Sequence, residues 1–262
     1  MLYSRISNNL RDTSGPVVVF LHGLLGSGED WQSSLEHMGD WPTITVDLPG
    51  HGLSALESCN SFRDCCDQIS DALLTQIAPH RPIVLVGYSL GARIAMTGIA
   101  HNYFPSLNIQ QLIVEGGHFG LQCSEEKQAR LQNDRQWAER LSREPIAQVL
   151  NDWYQQPVFS SLKHEQRQEL VAKRSANLGS SVAYMLVATS LAKQEFLLDL
   201  LKESGIAIHY ICGEEDSKFG QLAKQSGLSF SQIAQAGHNV HIEQPEAFAN
   251  VICTQIQTHL TP

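Results

Sequence analysis

The chain predicts an α/β protein: a mainly parallel sheet of about eight strands, helices on both faces, and a helical cap inserted between two strands. Three observations carry this expectation. Short, continuous β-branched runs recur at intervals, as strands buried on both faces do. Helical stretches separate them, which gives the alternation of an α/β sheet. One central block breaks the alternation, with amphipathic helical stretches and no strand-like run.

In chain order, Val17 to Leu21 (VVVFL) is the first such run, followed by Thr43 to Asp47. A helical pattern covers Phe62 to Ala78. Ile83 to Val86 is the next buried strand, Ser89 to Ala100 the helix behind it, and Leu112 to Glu115 a further strand. From about Phe119 to Lys193 the chain is rich in Arg, Gln and Glu, with helical stretches at Ser124 to Leu141, Ile146 to Tyr154, Lys163 to Ser175 and Ser180 to Ala192. Strands return at Ile206 to Cys212 and Phe230 to Ile233. Pro245 to His259 closes the chain as a helix with proline at its start, where the missing N–H costs nothing. The expected division is a core over residues 1–117 and 196–262, with the cap over 118–195. A cap at that place covers the carboxyl ends of the strands, where open α/β sheets bind ligands, and so helps to choose the substrate.

Composition narrows the function. With 18 Lys+Arg against 27 Asp+Glu, the 262 residues carry a net charge of -9. No continuous cationic patch is visible, so nucleic acid and anionic membrane are poor partners. Met1 to Leu10 has no apolar core, and no stretch approaches the ~20 apolar residues of a membrane span. A cytoplasmic location is the expectation. The six cysteines show neither C-x-x-C spacing nor disulfide-scaffold density, and they read as reduced thiols. Cys65 and Cys66 lie in a helical pattern and point to different faces, as packing residues do.

The strongest chemical signal is Gly87-Tyr88-Ser89-Leu90-Gly91, directly after a buried strand and directly before a helix. This is the context of a nucleophile elbow, whose glycines allow the turn that exposes a strained serine. Serine needs a base and an orienting carboxylate to react at neutral pH, here in the order Ser, acid, His. His238, in the loop after the last strand run, is the base candidate, ahead of His241 near the following helix. Asp216 is the acid candidate in Gly213-Glu214-Glu215-Asp216, ahead of its two neighbours and of Glu115 at another strand end. The backbone amides of Leu90, next to the nucleophile, and Leu24, in the turn His22 to Gly26, are the expected oxyanion hole. His22 and His51 read as loop scaffolding. No His, Cys and carboxylate cluster has ligand spacing, so no metal or organic cofactor is expected. Arg93 follows Ser89 by one helical turn on the same face, and a cation there argues for a small anionic substrate, best a carboxylate.

Together, His22-Gly23, Asp47 to Gly52, Gly87 to Gly91, Asp216 and His238 make the chain resemble the α/β-hydrolase fold along nearly its whole length. More specific segments are similar to one branch, the 2-succinyl-6-hydroxy-2,4-cyclohexadiene-1-carboxylate synthases of menaquinone biosynthesis. They are Gly87 to Arg93, Val114 to His118, Asp134 to Trp137, Asp152 to Phe159, Cys212 to Phe219 and Ala236 to Asn239. The branch usually has a second glycine where this chain has Ala92. The resemblance implies a lyase that expels pyruvate by 2,5-elimination through a Ser-His-Asp triad. It also implies that Arg130 and Arg174 of the cap join Arg93 in binding substrate, with Tyr88 and Trp153 lining the pocket. Sequence physics alone would leave Arg130 and Arg174 on solvated helix faces. Two rivals remain: a serine esterase or thioesterase for small carboxylate-bearing substrates, and a noncatalytic receptor built on the same fold.

Overall fold

In the computed structural model, which describes residues 1–7 and 15–260, seven strands form a single sheet. In chain order the strands are β1 (Ser4–Ile6), β2 (Val17–Leu21), β3 (Thr43–Val46), β4 (Ile83–Tyr88), β5 (Ile109–Glu115), β6 (Ala207–Gly213) and β7 (Ser229–Ile233). Their spatial order is β1-β3-β2-β4-β5-β6-β7. Only β1 runs antiparallel, pairing Ser4 with Val46 on the β3 edge, and every other neighbour is parallel. The described sheet therefore has one strand fewer than the eight expected; residues 8–14, between β1 and β2, lie outside the described residues. The polar edge strand β1 was not expected at all, because its three residues have no buried periodicity to announce them.

Eleven helices accompany the sheet among the described residues: α1 (Gln32–Leu35), α2 (Phe62–Leu74), α3 (Leu90–Ala100), α4 (Ser124–Arg143), α5 (Ile146–Trp153), α6 (His164–Arg174), α7 (Gly179–Ala188), α8 (Leu198–Glu203), α9 (Ser217–Ser226), α10 (Val240–Glu243) and α11 (Pro245–Leu260). None is long and apolar enough to cross a membrane.

Strand alternation sorts the core into two layers. Val17, Val19 and Leu21 of β2, with Ile83 and Leu85 of β4, pack with α2 and α3 on one face. Val18 and Phe20, with Val84 and Val86, pack with Trp31 and α11 on the other. Both faces of β2 are fully buried, which explains its unbroken apolar run. A third cluster belongs to the insertion: Leu141, Val149, Leu150, Tyr154, Leu170, Val182 and Leu186 pack together and reach the core through Leu25. Between β5 and β6 the described chain contains helices and turns but no strand. The cysteines are all free thiols; Cys65 and Cys66 are both buried, and burial pushes both thiols up from the ordinary range.

Candidate active site

Ser89 sits between β4 and α3 with φ 47° and ψ -100°, outside the ordinary allowed regions. A residue held there stores roughly 1–3 kcal/mol of strain, which the packing around it must offset. The two flanking glycines show how. A Cβ on Gly87 would stand 2.6 Å from the Ala92 Cα, and one on Gly91 would overlap the Leu21 carbonyl oxygen. The strand and helix thus approach too closely for any side chain. The Ser89 N–H donates to the Glu115 carbonyl at 2.8 Å, which ties the elbow to the end of β5.

Asp216 and His238 meet at the carboxyl ends of β6 and β7. His238 Nδ1 lies 2.8 Å from Asp216 Oδ2, while Asp216 Oδ1 accepts the Phe219 N–H at 3.2 Å as the cap of α9. Both carboxylate oxygens are therefore engaged, and the carboxylate cannot turn away. With Nδ1 donating to Asp216, the other ring nitrogen is the proton acceptor. Glu243 holds the base loop from both sides: its two carboxylate oxygens accept the amides of Gly237 and Asn239, at 3.1 and 3.2 Å, on either side of His238. Gly116 has φ 57° and passes beneath the ring, where a Cβ would come within 2.7 Å of His238 Cε1.

Ser89, Asp216 and His238 line one cavity of about 450 Å³ between the core and the helical insertion. Arg130 and Trp153 line it from the insertion side, together with Gln156, Phe159 and Ser161. The Phe159 ring stands 6.3 Å from that of His238, so the insertion roofs this histidine directly.

The loop expected to supply the second oxyanion donor is pinned on both sides of Leu24. His22 Nδ1 bonds the Gly23 carbonyl at 2.7 Å, and the Leu25 N–H donates to His51 Nε2 at 3.0 Å. His22 Nε2 in turn accepts the Leu48 N–H at 2.9 Å, and His51 Nδ1 bonds the Pro49 carbonyl at 2.9 Å. Both imidazoles are neutral scaffolding: burial pushes their pKa values down to about 4 and about 3. Gly23 backs onto the elbow, since a Cβ there would stand 2.6 Å from the Tyr88 ring and 3.6 Å from Ser89 Cβ. Leu90 opens α3, where the first N–H groups have no partner within the helix. The pinned turn around Leu24 and the start of α3 at Leu90 therefore both lie next to the elbow.

The remaining residues expected at the site divide. Tyr88 lies behind the cavity, its ring 5.4 Å from His238 and its hydroxyl bonded to Asn239 Oδ1. Arg93 is buried beside α2, donating to the Thr189 carbonyl at 2.8 Å with its guanidinium over Phe62; burial, then Arg130, pulls its pKa down to about 9. Arg130 uses Nε to hold Asp134 Oδ1 at 2.8 Å, and a third of its side chain remains exposed. Arg174 is neither on a solvated face nor at this cavity. It is 4% exposed, pairs with Asp30 Oδ2 at 2.9 Å, bonds the Tyr154 hydroxyl, and lines a separate cavity with Lys173 and Arg5.

Sequence reasoning missed Glu243, Lys218 and Phe219 as parts of this site. Phe219 presses its ring to 4.6 Å from that of His238, and Lys218 lines the cavity. A signal existed in the spacing from Asp216, because a residue two or three positions into a helix shares the neighbourhood of its cap. His241 and Glu115, the rival base and acid, pair with each other instead: Nδ1 and the backbone N–H of His241 lie 2.9 and 3.0 Å from Glu115 Oε1, fully out of contact with solvent. Among the described residues no three His, Cys, Asp or Glu side chains converge as metal ligands would.

Comparison with known proteins agrees with this architecture. A family model described as "Alpha/beta hydrolase family" matches residues 18–251. The 2-succinyl-6-hydroxy-2,4-cyclohexadiene-1-carboxylate synthase of Yersinia pseudotuberculosis serotype O:3 is 48% identical over 236 residues, 90% of this chain and 85% of that protein. The synthase of that name from Yersinia pestis (strain Pestoides F) matches equally well. Among solved structures, MenH from S. aureus aligns over 99% of both chains with a TM-score of 0.86 and 25% identity. A thermophilic esterase from Thermogutta terrifontis aligns over 99% of this chain and 94% of its own, with a TM-score of 0.77 and 20% identity, and so shares the fold. Because the match runs from the first parallel strand into the last helix and encloses elbow, acid and base alike, the chain belongs to the alpha/beta hydrolase family.

Proposed function

We propose that this protein is a carbon–oxygen lyase of menaquinone biosynthesis. It converts 2-succinyl-5-enolpyruvyl-6-hydroxy-3-cyclohexene-1-carboxylate to 2-succinyl-6-hydroxy-2,4-cyclohexadiene-1-carboxylate and pyruvate. The observation that carries this reading is the 48% identity to proteins named as that synthase over 90% of the chain. The alpha/beta hydrolase match over residues 18–251 takes in the His238–Asp216 pair, and Arg130 stands on the wall of their cavity.

In this reading Ser89, His238 and Asp216 act as one proton-transfer unit. Ser89 Oγ takes the ring proton at C2, next to the succinyl ketone, as its own proton passes to His238. The C–H electron pair moves onto the ketone oxygen, where the Leu24 and Leu90 amides stabilise the enolate. The enolate then reforms the ketone, the ring double bonds shift to the 2,4-diene, and the C5–O bond breaks with its electron pair on the departing enolpyruvate. The proton is delivered to that fragment as it becomes pyruvate. Arg130 is assigned to a substrate carboxylate, buried Arg93 and Arg174 to the electrostatic field around it, and Trp153 to an aromatic wall, with Tyr88 packed behind His238. We place the reaction in the cytoplasm, where the six thiols stay reduced.

The test is a continuous assay of pyruvate release from the elimination substrate, run beside p-nitrophenyl esters. Elimination should exceed ester hydrolysis by orders of magnitude in kcat/KM. Equal values would favour the esterase reading, and binding without turnover of either would favour a receptor.

A further inference from the structure

We propose that Lys218 is a substrate-positioning residue, holding a carboxylate of the bound substrate from the core side of the cavity opposite Arg130 of the insertion. This rests on the lyase reading above and adds to it a cation that the sequence did not single out.

Four observations converge on Lys218. It lines the cavity that contains Ser89, His238 and Arg130. It stands two residues after Asp216 on the first turn of α9, so its backbone is fixed by the same cap that fixes the acid. Among the described residues its ammonium has no hydrogen bond or ion pair; it lies 5.4 Å over the Phe219 ring, whose centroid is 4.6 Å from that of His238. The same aromatic ring is therefore neighbour to both the cation and His238.

The fourth observation is the convergence of charge. His118, which accepts the Gly120 N–H at 3.1 Å, feels Lys218, Arg93 and Arg130 at once. Burial first, and then these three cations, hold its imidazole down at about 4, so it stays neutral and does not add to the charge. Lys218 and Arg130 share this cavity's wall with Asp134, Glu215 and Asp216, and Arg93 acts on the same neighbourhood from outside the lining; desolvating these cations is costly unless an anion joins them. Asp134 accounts for one face of Arg130 and the Thr189 carbonyl for part of Arg93. Lys218 has no ion pair among the described residues, and Asp216 and Glu126 act on it only from beyond ion-pair distance. The proposed substrate carries three carboxylates, on the ring, the succinyl chain and the enolpyruvyl group, which is more than one arginine serves. A flexible ammonium matches a carboxylate as a point charge, without the fixed fork that an arginine would impose.

The experiment uses the full chain and a stable aromatic dicarboxylate of the product's shape, 2-(3-carboxypropanoyl)benzoate, as the binding probe. Its Kd is measured by calorimetry alongside KM and kcat for elimination. Lys218→Met should raise both Kd and KM about tenfold, equivalent to one charge-assisted contact, while kcat changes less than threefold. Lys218→Arg should return both to within threefold of wild type. Lys218→Glu should be worse than Lys218→Met, and raising salt should narrow the gap between wild type and Lys218→Met. Lys224→Met, on the same helix, controls for general charge. Kd and KM within twofold of wild type in Lys218→Met, an equal effect in Lys224→Met, or a wild type that does not bind the probe would each overturn the inference. A wild type that binds the probe but releases no pyruvate would overturn the lyase reading, and the binding series would still decide Lys218.

Discussion

Two histidines three residues apart in this chain each pair with a carboxylate, and their surroundings are opposite in kind. His238 with Asp216 and His241 with Glu115 have nearly the same geometry, 2.8 and 2.9 Å between Nδ1 and a carboxylate oxygen. The first pair lines the cavity beside Ser89; the second is sealed among Trp31, Tyr88 and Phe248. Pairing alone therefore does not make a base. What distinguishes them is the free edge of the ring: that of His238 faces space a reacting group can enter, whereas His241 Nε2 faces protein and has no partner among the described residues. The sealed pair serves the open one. Glu115 receives the Ser89 N–H on its carbonyl and holds His241 with its carboxylate, so a single residue joins the nucleophile's turn to the base's loop.

The sharpest way to break this comparison is by kinetics. Ser89→Ala, His238→Ala and Asp216→Asn should each lower kcat by about 10³-fold or more without additivity, because the three act as a unit. His241→Ala should cost far less. If steady-state assays on folded protein show His241→Ala to be as damaging as His238→Ala, the roles of the two pairs are reversed.

The next effect is on stability. Arg174→Ala breaks a buried pair with Asp30 and should destabilise by about 3–5 kcal/mol, read from urea unfolding. Glu115→Gln should cost about 1–3 kcal/mol, because it weakens buried hydrogen bonds without emptying the site. A variant at Glu115 with full stability but a thousandfold loss of kcat would make that residue part of the chemistry rather than its support. Arg130→Gln, which keeps a donor for Asp134, should leave stability near wild type and raise KM roughly tenfold, one carboxylate contact in size.

The smallest effects follow pH. His22, His51 and His118 are held down to about 4, about 3 and about 4, chiefly by burial, against an ordinary value of 6.5. Between these values the unfolded chain binds more protons than the folded one, so stability should fall as pH drops below about 6.5. Burial alone would raise Asp30, but Arg174 and Lys173 prevail and hold it at about 2. Its contribution is complete above 3.8 and is lost as pH falls towards about 2. Thermal unfolding from pH 7 to pH 3 should show the histidine phase first. A flat profile between pH 6.5 and 4 would mean that these rings are not held neutral by the fold.

Much of the site was legible because its parts are local. A strand, a glycine turn and a helix specify the Ser89 elbow within a dozen residues, and the strand-end loops mark Asp216 and His238 in the same way. The cap helices were legible from their periodicity, with boundaries within a few residues: Ser124 to Leu141 was expected and Ser124–Arg143 is observed. Ser180 to Ala192 overshot α7, which ends at Ala188, because the Thr189 carbonyl accepts from Arg93 and the Ser190 hydroxyl donates to Asp134 instead of continuing the helix. Arg174 shows where local reasoning stops. Its helix gave no sign of burial, since its partner Asp30 lies 144 residues away in sequence.

By itself the sequence determined the alternation of strands and helices and the helical block between two strands, and it singled out the three residues of the candidate triad, because each is written in short-range spacing and turn chemistry. Only the tertiary structure decided which histidine faces the cavity, which arginine is locked to a carboxylate and which cation stands unpaired beside the base. Those outcomes depend on contacts between residues far apart in the chain, where burial and electrostatics act on distance in space and leave no mark in the local pattern.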